Sequence, residues 1–312
     1  GYDIFSRLVA QYAPRYLPGE PEMVVQNMPG GGGEQGLRRS MIADPDGLTI
    51  GILHPRFVQR ELLGIDVPEF DLRTVNFIGA PAATESAGIL YSRTDVASTW
   101  DEVLGLGREI TAGQVEPGAA GGEGPRFMEL IGGPVRMVYG YGGSSEIMAA
   151  IDRGELDSST DGVNAVERLY PEWIENQTIA PILRWGTDPD NDPVASQFIE
   201  WFGGVTPPHI FDAYEATDGQ RAAFQLAFAM ANDMGRTFVL APDVPDDIVA
   251  VWQDVFQQIT SDPEFIEAAE LAGYEVGYFS PQDIDTMLED GLTALEDPEV
   301  NELFVDLVGP AQ

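Results

Sequence analysis

Between Glu116 and Gly162 extended runs alternate with loops that lead into helical runs, and this alternation constrains the fold more than any other feature. The first loop is Pro117-Gly118-Ala119-Ala120-Gly121-Gly122-Glu123. The second is Tyr139-Gly140-Tyr141-Gly142-Gly143-Ser144-Ser145-Glu146, and the third is Asp157-Ser158-Ser159-Thr160-Asp161-Gly162. Each stands where backbone N–H groups are exposed at a helix start, and the helix dipole adds partial positive charge there. Three such ends on one sheet edge suit a negatively charged ligand. Ordinary βα turns also favour Gly and Ser, so either meaning is open for any one loop.

The rest of the chain keeps the same alternation. Ile4, Phe5, Leu8, Val9 and Tyr12 recur at helical spacing and predict a helix over 3–17, with Asp3 as its N-cap. Glu22 to Gln26 is predicted as a strand, and a helix follows to about Ala43. Between them, Gly31, Gly33 and Gly36 spell G-x-G-x-x-G. A dinucleotide site wants an acidic residue at the end of the next strand, whereas the run Leu48 to Leu53 ends in His54-Pro55-Arg56. The expectation is therefore a structural turn, with the glycines allowing positive φ and close helix-to-strand approach. Strands are predicted over 75–79 and 88–91, around Ala80-Pro81-Ala82-Ala83, and over 179–184 and 238–240. The C-terminal quarter is helical, with Pro263, Pro281 and Pro298 at first-turn positions. The pattern predicts an α/β protein with mainly parallel sheets. Helices after Pro242 need a sheet to cover, which predicts two lobes with discontinuous membership: 1–94 with 236–312, and 95–235.

Function classes are narrowed by charge. Asp and Glu number 52 against 16 basic residues, all Arg, for a net charge of −36. Such a surface lacks the basic footprint that nucleic acid or an anionic membrane requires. Scattered acidity of this size suits a salt-rich habitat, where the Debye length falls to about 3 Å at 1 M salt. With no Cys there is no disulfide, thiol nucleophile or Cys-ligated metal. No apolar run approaches the ~18 residues that span a bilayer, and no signal peptide opens the chain, as is also true of a processed exported protein.

Catalytic constellations are sparse. There are two histidines, His54 and His209. Gly142-Gly143-Ser144-Ser145-Glu146 lacks the final Gly of a nucleophile elbow. Asp188-Pro189-Asp190-Asn191-Asp192 lacks the Gly and distal Glu of a calcium loop. No metal, cofactor or catalytic residue is expected. His54 shares its strand end with Pro55 and Arg56, and either a ligand contact or a surface loop position fits it.

Several segments resemble the solute-binding proteins of tripartite tricarboxylate transporters, the Bug-type or TctC receptors. Gly1-Tyr2-Asp3-Ile4-Phe5-Ser6-Arg7 is similar to the end of that family's G-G-x-x-D-x-x-A-R segment. Val25-Gln26-Asn27-Met28-Pro29-Gly30-Gly31-Gly32-Gly33 resembles its V-x-N-x-P-G-x-G-G, and Asp44-Pro45-Asp46-Gly47-Leu48-Thr49 its P-D-G-Y-T. Tyr141-Gly142-Gly143-Ser144 through Gly154-Glu155-Leu156-Asp157 aligns without a gap to Y-K-G-S … G-G-x-V-D. Ala241-Pro242-Asp243-Val244-Pro245 and Ser261-Asp262-Pro263-Glu264-Phe265 resemble A-P-x-x-x-P and x-D-P-x-F. The chain departs from the pattern at Gly142, where Lys is usual, and over 188–234.

The resemblance implies a type II periplasmic-binding-protein fold, two α/β lobes with a ligand cleft between them. It implies a monomeric, non-enzymatic protein, periplasmic or otherwise extracytoplasmic, that captures a small organic carboxylate for membrane transporter subunits. The family's first strand and the start of its first ligand loop would precede Gly1. The implied ligand site takes in Tyr2, Asp3, His54, Pro81 and Ala82, then Ala119, Ala120, Gly121 and Gly122, then Tyr141, Gly143, Ser144, Ser145 and Asp161. Asp161 cannot pair with a carboxylate and is assigned to a ligand hydroxyl, a water or loop capping. Two alternatives stay open: a sensing receptor on the same fold that signals to a membrane kinase, and a nucleotide-dependent enzyme using the Gly31–Gly36 loop.

Overall fold

The computed structural model describes residues 2–28, 30, 33–65, 67–81, 87–115, 121–160, 163, 166–272, 274 and 276–309. Eight strands are present among them: β1 Ile50–Leu53, β2 Asn76–Gly79, β3 Ala87–Arg93, β4 Ile110–Gln114, β5 Val135–Tyr139, β6 Ser158–Ser159, β7 Ile179–Gly186 and β8 Thr237–Leu240. The chain divides into two compact units. Unit 1 is Gly1–Thr84 with Ala229–Thr293, and unit 2 is Glu85–Phe228 with Ala294–Gln312.

Unit 1 is built on a three-stranded sheet of order β1-β8-β2. Both neighbours of β8 run antiparallel to it, with Leu53 opposite Thr237 and Asn76 opposite Leu240. All four residues of β8 are buried, as a central strand covered on both faces requires. The helix Tyr2–Tyr12 buries Phe5, Val9 and Tyr12, and the helix Asp246–Ile259 buries Val249, Trp252, Val255, Phe256 and Ile259. Both stripes follow the three- and four-residue spacing of a helix face. They join Ile78, Phe238, Leu240 and Phe265 in one core. Gly47 has φ +74°, and a Cβ there would meet Ile248 Cγ2 at 2.2 Å. Trp252 Nε1 donates to the Gly47 carbonyl at 2.9 Å, so the helix closes directly over that turn. Asp262 caps the helix Pro263–Leu271 by accepting from the Glu264 amide, and it also accepts from the Tyr16 hydroxyl.

Unit 2 carries a five-stranded sheet of order β5-β4-β6-β3-β7. β4 is parallel to β5 and β6, while β3 is antiparallel to β6 and β7. Its core includes Ile89, Tyr91, Ile147, Ile151, Leu156, Trp173 and Phe198. Trp185 is fully buried, and its indole lies in a slot walled by two glycines. A Cβ would come within 2.1 Å of the ring at Gly88 and 2.5 Å at Gly124. Asp192 caps the helix Pro193–Trp201 through the Val194 and Ala195 amides, and also accepts from Ala87 N at 2.9 Å, so one carboxylate ties that helix to β3. Asp157 accepts from Arg108, from Thr111 N at 2.9 Å and from the Thr111 hydroxyl.

Several expectations change here. The sheets are not mainly parallel: that of unit 1 is antiparallel, because β8 returns to run between β1 and β2, and that of unit 2 is mixed, because β3 opposes both its neighbours. Residues 22–26 belong to no strand; they form no ladder, and Val24 is 74% exposed. The G-x-G-x-x-G loop therefore lacks the preceding strand of a dinucleotide motif. Gly33 does take φ +98°, but a Cβ at Gly36 would meet Met28 only at an ordinary 3.8 Å. Asp3 lies inside the first turn of its helix, which starts at Tyr2, and is not its N-cap. Ser158 and Ser159 are not loop but the short strand β6, buried between β4 and β3, where the Ser158 hydroxyl donates to the Thr111 carbonyl. The unit boundaries fall at 84/85 and 228/229, and the helix Pro298–Val308 joins unit 2 rather than the N-terminal segment. Arg126 donates to the Asp306 carbonyl and Thr217 to Glu299, which holds that helix in place.

Candidate functional site

Candidate residues fall in both units. In unit 1, His54 directly follows β1 and N-caps the helix Pro55–Leu62. Its Nδ1 accepts from the Arg56 amide at 3.2 Å, so the neutral ring carries its proton on Nε2. Burial, and after it the Arg56 charge, pulls the imidazole down to about 4. The Tyr2 ring stacks on His54 with centroids 5.6 Å apart and 25° between planes. Burial pushes the Tyr2 phenol up to about 12, against the opposing pull of Arg236 and Arg56. Tyr2 thus stays a neutral donor, and His54 a neutral base, across the ordinary pH range.

Tyr2, Asp3 and His54 come together, with Asn27, Gly33 and Phe57, on a cavity of about 1060 Å³ within unit 1. Asp3 is already engaged there. Its carboxylate accepts from Arg7 Nε at 3.0 Å and from Asn27 Nδ2 at 2.6 Å, and the Arg7 bond above all holds it below the usual carboxylate range. Pro81 is buried just beyond β2, after the Ala80–Phe279 bridge, and is not among the residues that line this cavity. Ala82 lies outside the described residues.

Arg236 is a half-buried cation of unit 1 that no sequence motif singles out. It stands immediately before β8, and the Leu53–Thr237 pairing places it across the ladder's end from His54. Its guanidinium packs over the Tyr274 ring at 4.8 Å and lies 5.6 Å from the Phe5 centroid. Its Nε is buried and has no hydrogen-bond partner. Only the strand register brings Arg236 beside His54, and nothing local in the sequence signals that pairing.

In unit 2 the parallel strands β4, β5 and β6 end on one sheet edge, where loops lead into helices. Gly121, at φ +85°, and Gly122 precede the helix Glu123–Leu130, and Gly122 is its N-cap. A Cβ at Gly121 would sit 3.5 Å from the Thr160 hydroxyl, which places the first and third loops side by side. Gly143 is the N-cap of Ser144–Asp152 at φ +154°, with no side-chain cap bond. The Gly142 amide donates to Glu146 at 2.6 Å, so one acidic side chain already takes part of this helix start. Ser144 and Ser145 are exposed in the first turn, and the half-buried Tyr141 has its phenol raised by burial first. Ala119, Ala120 and Asp161 lie outside the described residues.

The end of β7 reaches the same edge, since Gly186 pairs with Ala87 at the start of β3. Trp185 Nε1, Thr187 Oγ1 and Tyr139 Oη are buried there without hydrogen-bond partners. Among the described residues no three His, Asp or Glu side chains cluster to hold a metal. No helix of the described residues is long and apolar enough to cross a membrane.

No family model and no curated protein matches the sequence. Solved structures match along almost the whole chain. A TctC solute-binding protein from Polaromonas superimposes with a TM-score of 0.63 at 13% identity, covering 96% of this chain and 93% of its own. A Rhodopseudomonas palustris protein solved with adipate gives 0.57 at 17% identity, over 99% and 93%. MatC from Rhodopseudomonas palustris, with bound malate, gives 0.56 at 15% identity, over 96% and 94%. The chain therefore has the α/β periplasmic-binding-protein fold, built as two units.

Proposed function

We propose that this protein is an extracytoplasmic solute-binding protein of the TctC/Bug type that captures a small organic carboxylate for a tripartite tricarboxylate-type membrane transporter. The observation that carries this is the edge of unit 2. There, glycine loops end parallel strands and open directly onto the helices Glu123–Leu130 and Ser144–Asp152. Such ends present amides and dipole to an anion without a side-chain cation. The fold shared with proteins solved with adipate and malate supports a carboxylate as that anion. The sequence motifs that resemble the family support transport as the role and a periplasmic or otherwise extracytoplasmic location.

The proposed ligand donors in unit 2 are the Gly121–Gly122 and Gly143–Ser145 amides with the Ser144 and Tyr141 hydroxyls. In unit 1 the neutral Tyr2 and His54 face that unit's own cavity. Binding, not turnover, is the activity these groups serve.

A thermal-shift screen of mono-, di-, tri- and aromatic carboxylates tests the reading, because a ligand that binds only the native state raises its melting temperature. At least one carboxylate should raise it. Calorimetry with that ligand should then show Ser144→Ala weakened by about 1 kcal/mol, and by up to about 3 if the carboxylate is left short of a donor. Gly143→Val should bind more weakly still, since it adds a side chain over the amides at a backbone angle that only Gly adopts easily. Unchanged binding in both variants would place the ligand elsewhere.

A further inference from the structure

We propose that the unit 1 cavity is a strand slot, binding an extended, cationic peptide of about six residues that lies between β1 and residues 22–26 and hydrogen-bonds to both. The slot is distinct from the glycine-loop edge of unit 2, and the proposal stands independently of the carboxylate reading.

The cavity has two backbone walls, and both are unpaired. β1 is the outermost strand in the order β1-β8-β2, so its far edge keeps the N–H and C=O groups that β8 does not take. Ile50, Gly51 and Ile52 line the cavity. The other wall is 21–28, every residue of which lines it. Among the described residues the backbone of that stretch makes no hydrogen bond. Its exposure nevertheless alternates as in a strand, with Met23 and Val25 half-buried between exposed Glu22, Val24 and Gln26. Backbone groups taken out of water are almost always paired. A strand-like run without a ladder, sharing a cavity with a free sheet edge, therefore marks a place for a further strand.

The side chains agree. Met23, Ile50 and Ile52 are only partly buried against the unit 1 core. Val24 is 74% exposed and Leu48 81%, although both line the cavity. Polar side chains of the lining are engaged with one another: Asn27 donates to Asp3, and Tyr2 stacks on His54. The volume of about 1060 Å³ exceeds the ~300–1,000 Å³ usual for a small-molecule pocket. An added strand satisfies both walls with its main chain and covers the half-buried and exposed apolar residues with its alternating side chains. A basic residue in that strand is drawn by the net charge of −36.

The probe is the peptide acetyl-Thr-Val-Arg-Val-Thr-Val-amide. Its control is the same peptide N-methylated at every second residue, which keeps the side chains and loses the donors along one edge. Hydrogen exchange read by mass spectrometry should find the amides of 21–28 unprotected in the free protein. Saturating peptide should slow exchange at 22–26 and 50–52 by about tenfold or more and raise the melting temperature, and the N-methylated control should do neither. A Val24→Ser, Leu48→Ser double variant should keep the ligand-free melting temperature, since both side chains are exposed, and bind the peptide about fivefold more weakly. Protection of 21–28 before any peptide is added overturns the proposal, as does failure of the peptide to bind or equal binding of the N-methylated control. Protection of the same amides by adipate or malate instead would make the cavity a small-ligand site and also overturn it. Protection that grows with protein concentration alone, together with dimer formation, would give the slot to a second copy and overturn it too. None of these outcomes touches the carboxylate screen, which tests the functional reading separately.

Discussion

Unit 1 and unit 2 build their candidate sites from different materials. In unit 1 the groups are side chains: Tyr2, Asp3 and His54. In unit 2 they are backbone amides and small hydroxyls at Gly121–Gly122 and Gly143–Ser145. Strand direction accounts for the difference. β8 is antiparallel to both neighbours, so the ends of β1 and β2 lie beside its beginning. Residues flanking three strand ends therefore converge, and their side chains occupy the edge. In unit 2, β4, β5 and β6 run parallel, so the same edge collects loops that lead into helices, and helix starts offer N–H groups. The side-chain site should answer to charge and pH, and the backbone site to shape.

The largest effect that would sharpen this contrast is expected in unit 2 at Gly88→Val. The added atoms collide with the Trp185 ring, which is itself held against Gly124. The indole is fully buried between the two glycines, so the cost should reach about 3 kcal/mol, at the upper end for an overpacked core. Denaturant titration followed by tryptophan fluorescence measures it. A loss below about 1 kcal/mol would mean that the slot is looser than the structure shows.

Next in size is the acid response of unit 1. His54 sits near 4 in the fold, below its ordinary 6.5, so on acidification the unfolded chain takes up the proton first. Stability is then lost between about pH 6.5 and 4, and this contribution levels off below. The whole shift corresponds to about 3 kcal/mol before solvent screening, which lowers it for a group that is not fully buried. His54→Gln should flatten the stability profile in that window. Equal slopes for parent and variant would show that His54 is solvated and would weaken the side-chain picture of unit 1.

The smallest of the three tests the acid response of unit 2. Burial disfavours the Asp157 carboxylate, but Arg108 and Thr111 together hold its pKa below the usual range. That contribution is present above the ordinary carboxylate range and is lost as pH falls through the lower folded value. Asp157→Asn should cost about 1–2 kcal/mol at neutral pH, and the difference should shrink only in strong acid. Stability curves at pH 7 and pH 3 for both proteins decide it. If the variant's deficit vanished already near pH 5, Asp157 would titrate like an exposed carboxylate. The two windows, above and below about pH 4, then separate His54 chemistry from Asp157 chemistry.

The local elements are largely legible in the sequence. The C-terminal quarter was readable as helical with prolines at first-turn positions, and the structure starts helices at Pro263, Pro281 and Pro298. His54 was readable as a strand-end residue, and the glycine loops around 121–122 and 143–145 as helix starts, because local spacing and turn chemistry carry those signals. Pairing was not legible. Two serines became the strand β6 because they fill the space between β4 and β3, while the more strand-like 22–26 found no ladder. Propensity is weaker than the hydrogen bonds a neighbouring strand supplies. The assignment of helix 298–308 to unit 2, the slot around Trp185 and the nearness of Arg236 to His54 were likewise decided by tertiary structure. All three are contacts between residues tens to hundreds of positions apart, and a sequence specifies such contacts only through the fold as a whole.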